Sequence, residues 1–232
     1  MELAKSMEYF NPSVIKHNIN IIGCGSVGST MAHMLIRFGL TNFELWDFDE
    51  VEAKNLANQC FTAAQIGQKK TEAVKANMLA VNPDAKINIH DKGYNGERLS
   101  GIVLMCVDSI TVRKKIVEAN KYNTSVVFIQ DIRTRLEDAQ IYAADMRKIN
   151  EISALLDSMN FTDEEVHEIT PVSACGVELG VCTTVHLICA LACQNIRNFF
   201  CDKDKYKFFI DASINCGIMA FPGLWRFPDN HQ

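Results

Sequence analysis

No Cys-x-x-Cys pair occurs anywhere in the sequence, and the closest cysteine spacing, Cys189 to Cys193, is one helical turn inside an apolar segment. A structural zinc site needs thiolates or imidazoles in short paired spacings and is therefore not expected. A disulfide framework is not expected either: the cysteine count of 9 is odd. Cys24, Cys106, Cys182, Cys189 and Cys193 fall in apolar stretches, where reduced thiols pack as small core residues. The expected setting is a reducing one, the cytoplasm. Residues 1–18, MELAKSMEYFNPSVIKHN, lack the apolar run and small-residue cleavage site of a signal peptide. The most hydrophobic stretch, 179–196, is broken by Thr183, Thr184, His186 and Gln194. It falls short of the roughly 18 clean apolar residues a membrane span requires, and a buried core helix is expected there. Positive charge is also short. With 23 Lys and Arg against 28 Asp and Glu the net charge is −5, and the basic residues are scattered, so nothing supplies the basic face that nucleic acid demands.

What remains is a chain of 232 residues, 48% hydrophobic and 22% charged, enough for one large α/β domain to bury its own core. Residues 1–232 are read as a single domain with a polar lead-in over 1–18. An apolar run at 19–22 ends in GCGSVG, and Met31, Met34, Leu35 and Phe38 then recur at helical spacing. Gly39 closes that helix, and a strand over 43–47 ends in acidic residues, completing a βαβ unit. The pattern continues with a helix over 69–80 that stops at Asn82-Pro83, strands over 86–90 and 102–107, a helix over 111–121 and a strand over 125–130. A strand over 139–143 is placed at the sheet edge. The acidic segment 146–170 is read as a crossover or lid with one helix, followed by a helix over 179–200 and a terminal hairpin from 206–211 and 215–221. The expected fold class is α/β: a Rossmann-like, doubly wound, mostly parallel sheet flanked by helices, with a C-terminal antiparallel extension.

The turn Gly23, Gly25, Gly28 follows a strand and opens a helix near Ser26. Bare backbone and the positive end of a helix dipole suit a phosphate there. Asp47 lies 19 residues past Gly28 at the end of the second strand, where a carboxylate accepts hydrogen bonds from a ribose hydroxyl. These features fit NAD and ATP equally.

Three further segments follow in order: LWDFDEVEAKNLANQ, IGQKK and VLMCVDSITVR. Together with the glycine turn they resemble the ThiF/MoeB/HesA family of E1-like adenylyltransferases. Those proteins share a D-x-D-x-V-x-x-x-N-L segment ending in Gln, an I-G-x-x-K element, and a strand ending in Cys-x-Asp with an Arg five residues on. The resemblance covers residues 18–113 closely and continues more loosely to 200. It implies an enzyme that uses ATP and Mg²⁺ to adenylate a carboxylate, the Gly-terminated tail of a ubiquitin-like or sulfur-carrier protein, and works as a homodimer. It also implies that Gly23, Gly25, Ser26, Gly28, Asp47, Asp49, Asn55, Gln59 and Lys70 bind the nucleotide, that Lys70 and Asp108 are catalytic, and that Asp108 holds the metal. Read alone, Lys70 is a solvated lysine at a helix end and Asp108 a helix cap.

Three positions depart from the family pattern. Asn58 stands where many members have Arg, Ser109 stands where Asn often follows the aspartate, and the lead-in contains no Arg. Arg113, Arg133 and Arg135 are the remaining candidates to meet transition-state charge. Cys175, in TPVSACGVELG, is the expected nucleophile if a covalent intermediate forms, and a packed thiol otherwise. Two rival functions stay open: a catalytically weak or inactive E1-like binding protein, and an NAD-dependent oxidoreductase that leaves Lys70, Asp108 and the NLANQ segment without purpose.

Overall fold

The computed structural model describes residues 1–173 and 179–221. Its centre is one eight-stranded sheet in the order β3-β2-β1-β4-β5-β6-β7-β8. Five parallel strands, β1 (Ile19–Ile22), β2 (Asn42–Trp46), β3 (Lys86–His90), β4 (Gly101–Met105) and β5 (Val126–Thr134), form one side. The antiparallel strands β6 (Asp138–Asp145), β7 (Phe209–Ser213) and β8 (Gly217–Phe221) extend it. The expected fold class is thus the one observed.

β4 is apolar throughout and β1 is interrupted only by Asn20, because both faces of these strands are covered. Along β4, Ile102 and Leu104 enter one core while Val103 and Met105 enter the other. The first core lies under α1 (Ser26–Arg37), α2 (Lys70–Val81) and α6 (Cys182–Cys201), the second under α3 (Ile110–Asn120) and α4 (Ile149–Asp157). Helix α1 stops in a Schellman arrangement: Gly39, at φ +92°, donates to the Ile36 carbonyl and Leu40 to that of Leu35. Pro83 follows the end of α2, as the sequence indicates.

Several expectations need correction. Strand β6 lies inside the sheet, between β5 and β7, because the terminal hairpin adds beyond it. The acidic segment holds two helices, α4 and α5 (Asp163–Ile169), since Thr162 and Glu165 form a capping box that starts the second. Helix α6 begins at Cys182 rather than at Leu179, which leaves Cys182 exposed in its first turn instead of packed in the core. No helix among the described residues is long and apolar enough to cross a membrane.

Candidate functional site

β1 is bonded to β2 on one side and β4 on the other, so the chain's connections leave in opposite directions from this point. A crevice opens at the carboxyl ends of these two strands, the place where doubly wound sheets bind ligands. The glycine turn sits in it. Gly23 has φ +92°, and a Cβ there would come within 2.8 Å of the Cys106 carbonyl. A Cβ on Gly28 would lie 1.8 Å from the Gly23 carbonyl oxygen. These two glycines are therefore demanded by close packing of the turn. Gly25 differs, because a Cβ there would meet nothing within 4 Å. It is the N-cap of α1, and no side chain caps that helix. Bare backbone and unsatisfied first-turn amides beginning at Ser26 thus face open space, an arrangement that fits an anion.

Asp47, just past β2, is tied directly to this turn. Its Oδ2 accepts from the Cys24 amide at 2.6 Å and its Oδ1 from the Asp49 amide at 2.8 Å. Asp49 in turn meets Lys70: the Lys70 amide donates to the Asp49 carbonyl at 2.9 Å, and Lys70 Nζ lies 2.8 Å from Asp49 Oδ2. Lys70 is the first residue of α2 and only 7% exposed. A shielded ammonium at this point is not the solvated lysine that position at a helix end suggests. The structure therefore brings the glycine turn, Asp47, Asp49 and Lys70 into one connected set.

The segment between Asp49 and Lys70 folds into two short 3₁₀ turns stitched to α1, with the Cys60 amide donating to Ser29 Oγ at 3.0 Å. Within it Asn55 is buried, and its Oδ1 accepts from the Glu52 amide at 2.8 Å, closing a capping box. Its carboxamide oxygen is thus engaged by the fold. Gln59 is the opposite case, since its Oε1 is shielded and meets no hydrogen-bond donor among the described residues. A carboxamide left unsatisfied next to Cys60, which is bonded to α1, fits a polar ligand, as donor or acceptor according to which way the amide is turned. Asn58 donates to the Gly180 carbonyl at 3.3 Å.

Asp108 follows β4 at the rim of the same crevice and is exposed. Ser109, not Asp108, caps α3, with its hydroxyl accepting from the Val112 amide at 3.2 Å. Among the described residues, Asp108 Oδ1 accepts only from the neighbouring Ser109 amide, at 2.9 Å. The carboxylate is thus available for a hard cation, which needs just one or two such oxygens when phosphates complete its shell. Of the three arginines considered for transition-state charge, two are engaged elsewhere. Arg113 and Arg133 converge on the fully buried Asp131. Arg113 also donates to the carbonyls of Val107 and Ile132. Arg135 is exposed on the connection from β5 to β6. Cys175 lies outside the described residues.

One contact is not foreshadowed by the motifs. Asp163 Oδ1 accepts from the Ile110 amide at 2.6 Å, and its Oδ2 accepts from the hydroxyls of Ser109 at 3.1 Å and Thr111 at 2.6 Å. Partial burial of Asp163 works against its charge, but the Thr111 hydroxyl and Ile110 amide prevail and hold its carboxyl below the usual range. The only hint in the sequence is the Thr162-x-x-Glu165 start signal, which marks a helix without naming what it docks on.

Comparison with known proteins identifies the family and the fold. The chain is similar to ubiquitin-like modifier-activating enzyme 5 of Drosophila melanogaster, at 35% identity over 118 residues covering 42% of this chain and 29% of that one. The enzyme of the same name from Aedes aegypti is 36% identical over 117 residues, covering 43% and 30%. The chain therefore spans less than a third of the length of these relatives. Among solved structures, E. coli MccB with ATP superposes at a TM-score of 0.64 with 17% identity, covering 89% of this chain and 64% of that one. E. coli tRNA N6-threonylcarbamoyladenosine dehydratase, TcdA, superposes at 0.61 with 15% identity, covering 87% and 94%. Both likenesses are of fold. The profile of the ThiF family matches residues 13–208, and with the glycine turn, Asp47, Lys70 and Asp108 in sequence order around one crevice, the chain belongs to the ThiF family.

Proposed function

We propose that the chain binds Mg·ATP in the β1–β4 crevice and adenylates a carboxylate. The observation that carries this reading is the unbroken run of contacts from the open Gly25 backbone through Asp47 and Asp49 to the shielded ammonium of Lys70. A dehydrogenase has no use for a buried lysine at that place. A carboxylate oxygen attacks the α-phosphorus, the bond from that phosphorus to the bridging oxygen breaks, and pyrophosphate departs with the electron pair. The product is an acyl-adenylate. The turn binds phosphate, Asp47 takes the ribose, Gln59 meets a polar group of the nucleotide, and Lys70 offsets charge as pyrophosphate leaves. Asp108 would hold Mg²⁺, which when bound neutralises and orients the phosphates.

The relatives' name, ubiquitin-like modifier-activating enzyme, supports a ubiquitin-like protein as the carboxylate partner, and the family resemblance extends this to a ubiquitin-like or sulfur-carrier protein with a Gly-terminated tail. Homodimerisation, and a transfer step on Cys175, belong to the same reading. A second reading, a relative that binds nucleotide but turns over weakly, is favoured by the engagement of Asn58 with Gly180 and of Arg113 and Arg133 with Asp131. Exchange of labelled pyrophosphate into ATP, in the presence of Gly-terminated carrier proteins, decides between them. Carrier-stimulated exchange supports adenylation, whereas ATP binding with no exchange for any carrier supports the second reading.

A further inference from the structure

Helix α5 sits on the rest of the molecule in an unusual way. α4 buries Ile152 and Leu155, with Met159 just beyond it, and so is held by the second core. None of the side chains of residues 163–168 is buried, and a cleft of about 440 Å³ runs along the seam between α5 and α3, lined by Ile110, Thr111, Lys114, Phe161 and Asp163 among others. Residues 163–168 thus add no buried side chain to either core, while Phe161 just before them packs partly against the second. Polar contacts hold the α4–α5 connection and the start of α5. Arg133, itself held by buried Asp131, donates to the Ser158 carbonyl and hydroxyl at 2.9 Å each and lies over the Phe161 ring. Asp163 makes its three hydrogen bonds to Ser109, Ile110 and Thr111. These residues begin α3 and directly follow Asp108.

We propose that Asp163 is a positioning residue, coupling the seating of the α4–α5 segment to the geometry of the Asp108–Ser109 turn. Ser109 is held from both sides: its hydroxyl accepts from the Val112 amide and donates to Asp163. Its own amide donates to Asp108. Removing the Asp163 carboxylate frees the Ile110 amide and the Ser109 hydroxyl together, and the loosened turn no longer fixes the direction of the Asp108 carboxylate. The consequence for metal use rests on the adenylation reading. The coupling itself does not.

Amide hydrogen exchange on Asp163→Ala, Asp163→Asn and Thr111→Val tests the coupling without nucleotide. In Asp163→Ala, peptides spanning 108–113 and 149–169 should both exchange about tenfold faster while β4 stays protected. Asp163→Asn, which keeps an acceptor for the Ile110 amide, should restore most of the protection, and Thr111→Val should give a smaller change in the same direction. Faster exchange confined to 163–169, with 108–113 unchanged, overturns the proposal. So does uniform loosening of the whole chain in all three variants. If wild-type protein carries out pyrophosphate exchange, half-saturation by Mg²⁺ should rise about tenfold in Asp163→Ala with kcat within twofold, the behaviour of a partner that orients a metal ligand. A fall in kcat with unchanged Mg²⁺ dependence overturns the proposal too. Absence of wild-type exchange overturns adenylation and leaves the amide result to decide the coupling.

Discussion

Lys70 Nζ lies 2.8 Å from Asp49 Oδ2, with the lysine shielded and the aspartate half exposed. The ammonium is thus held at the crevice by a partner that solvent screens, and it can be shared with an incoming anion at modest cost. Lys70→Ala should lower pyrophosphate exchange about 10²- to 10³-fold, the loss typical of removing one preorganised charge. Thermal denaturation of the same variant should change little, because an exposed partner remains solvated. Exchange at the wild-type rate would remove Lys70 from the site.

The glycine turn yields a contrast between two substitutions. Gly28→Ala drives a methyl group into the Gly23 carbonyl, so it should cost about 3 kcal/mol or more, the upper range for overpacking. Gly25→Ala meets no atom and should leave stability intact while weakening nucleotide binding. Chemical denaturation with nucleotide titration separates the two outcomes. Loss of stability in Gly25→Ala would contradict the open face.

Thiol reactivity follows burial. Burial pushes Cys106 and Cys193 up to about 12, and it also raises Cys24, with Asp47 adding to the effect, and Cys189. A thiol with a raised value stays protonated below it, so none of these four should form a thiolate across neutral and mildly alkaline pH. Among the described cysteines, Cys182, Cys201 and Cys216 are exposed and should be alkylated before the buried four. Peptide mapping of iodoacetamide adducts checks the order, and early labelling of Cys106 would contradict it.

Asp131 is buried between Arg113 and Arg133. Arg113→Ala leaves Asp131 paired with Arg133 but takes the donor from the Val107 and Ile132 carbonyls and empties a buried site, so it should cost about 3 kcal/mol. Scanning calorimetry should show a fall in Tm on the order of 10 °C.

The parallel half of the fold was legible because covered strands read as short apolar runs and each was punctuated by glycine, proline or acidic residues. Asp47 was legible through its spacing from the glycine turn, whereas Lys70 and Asp108 stood out only through the family resemblance, and the topology brings the three to the same end of the sheet. The extent of the antiparallel half was less clear. Strand β5 runs on through Asp131 and Arg133 to Thr134, and charged residues argue against a buried strand until their mutual pairing is seen. Asp163 was hidden for a related reason. Its partners lie 52 to 54 residues earlier in the chain, and an acid in an acidic segment carries no local sign of which amide it will meet. Asn55 read as a ligand residue, but its oxygen serves a local capping box, a role that the spacing to Glu52 is too common to announce.

Calorimetric titration of the purified chain with Mg·ATP, and separately with NAD, tests the central claim most directly. The geometry predicts one-site binding of Mg·ATP that Lys70→Ala and Gly25→Ala each weaken, with no heat from NAD. Tighter binding of NAD than of Mg·ATP, or ATP binding indifferent to both substitutions, would contradict it.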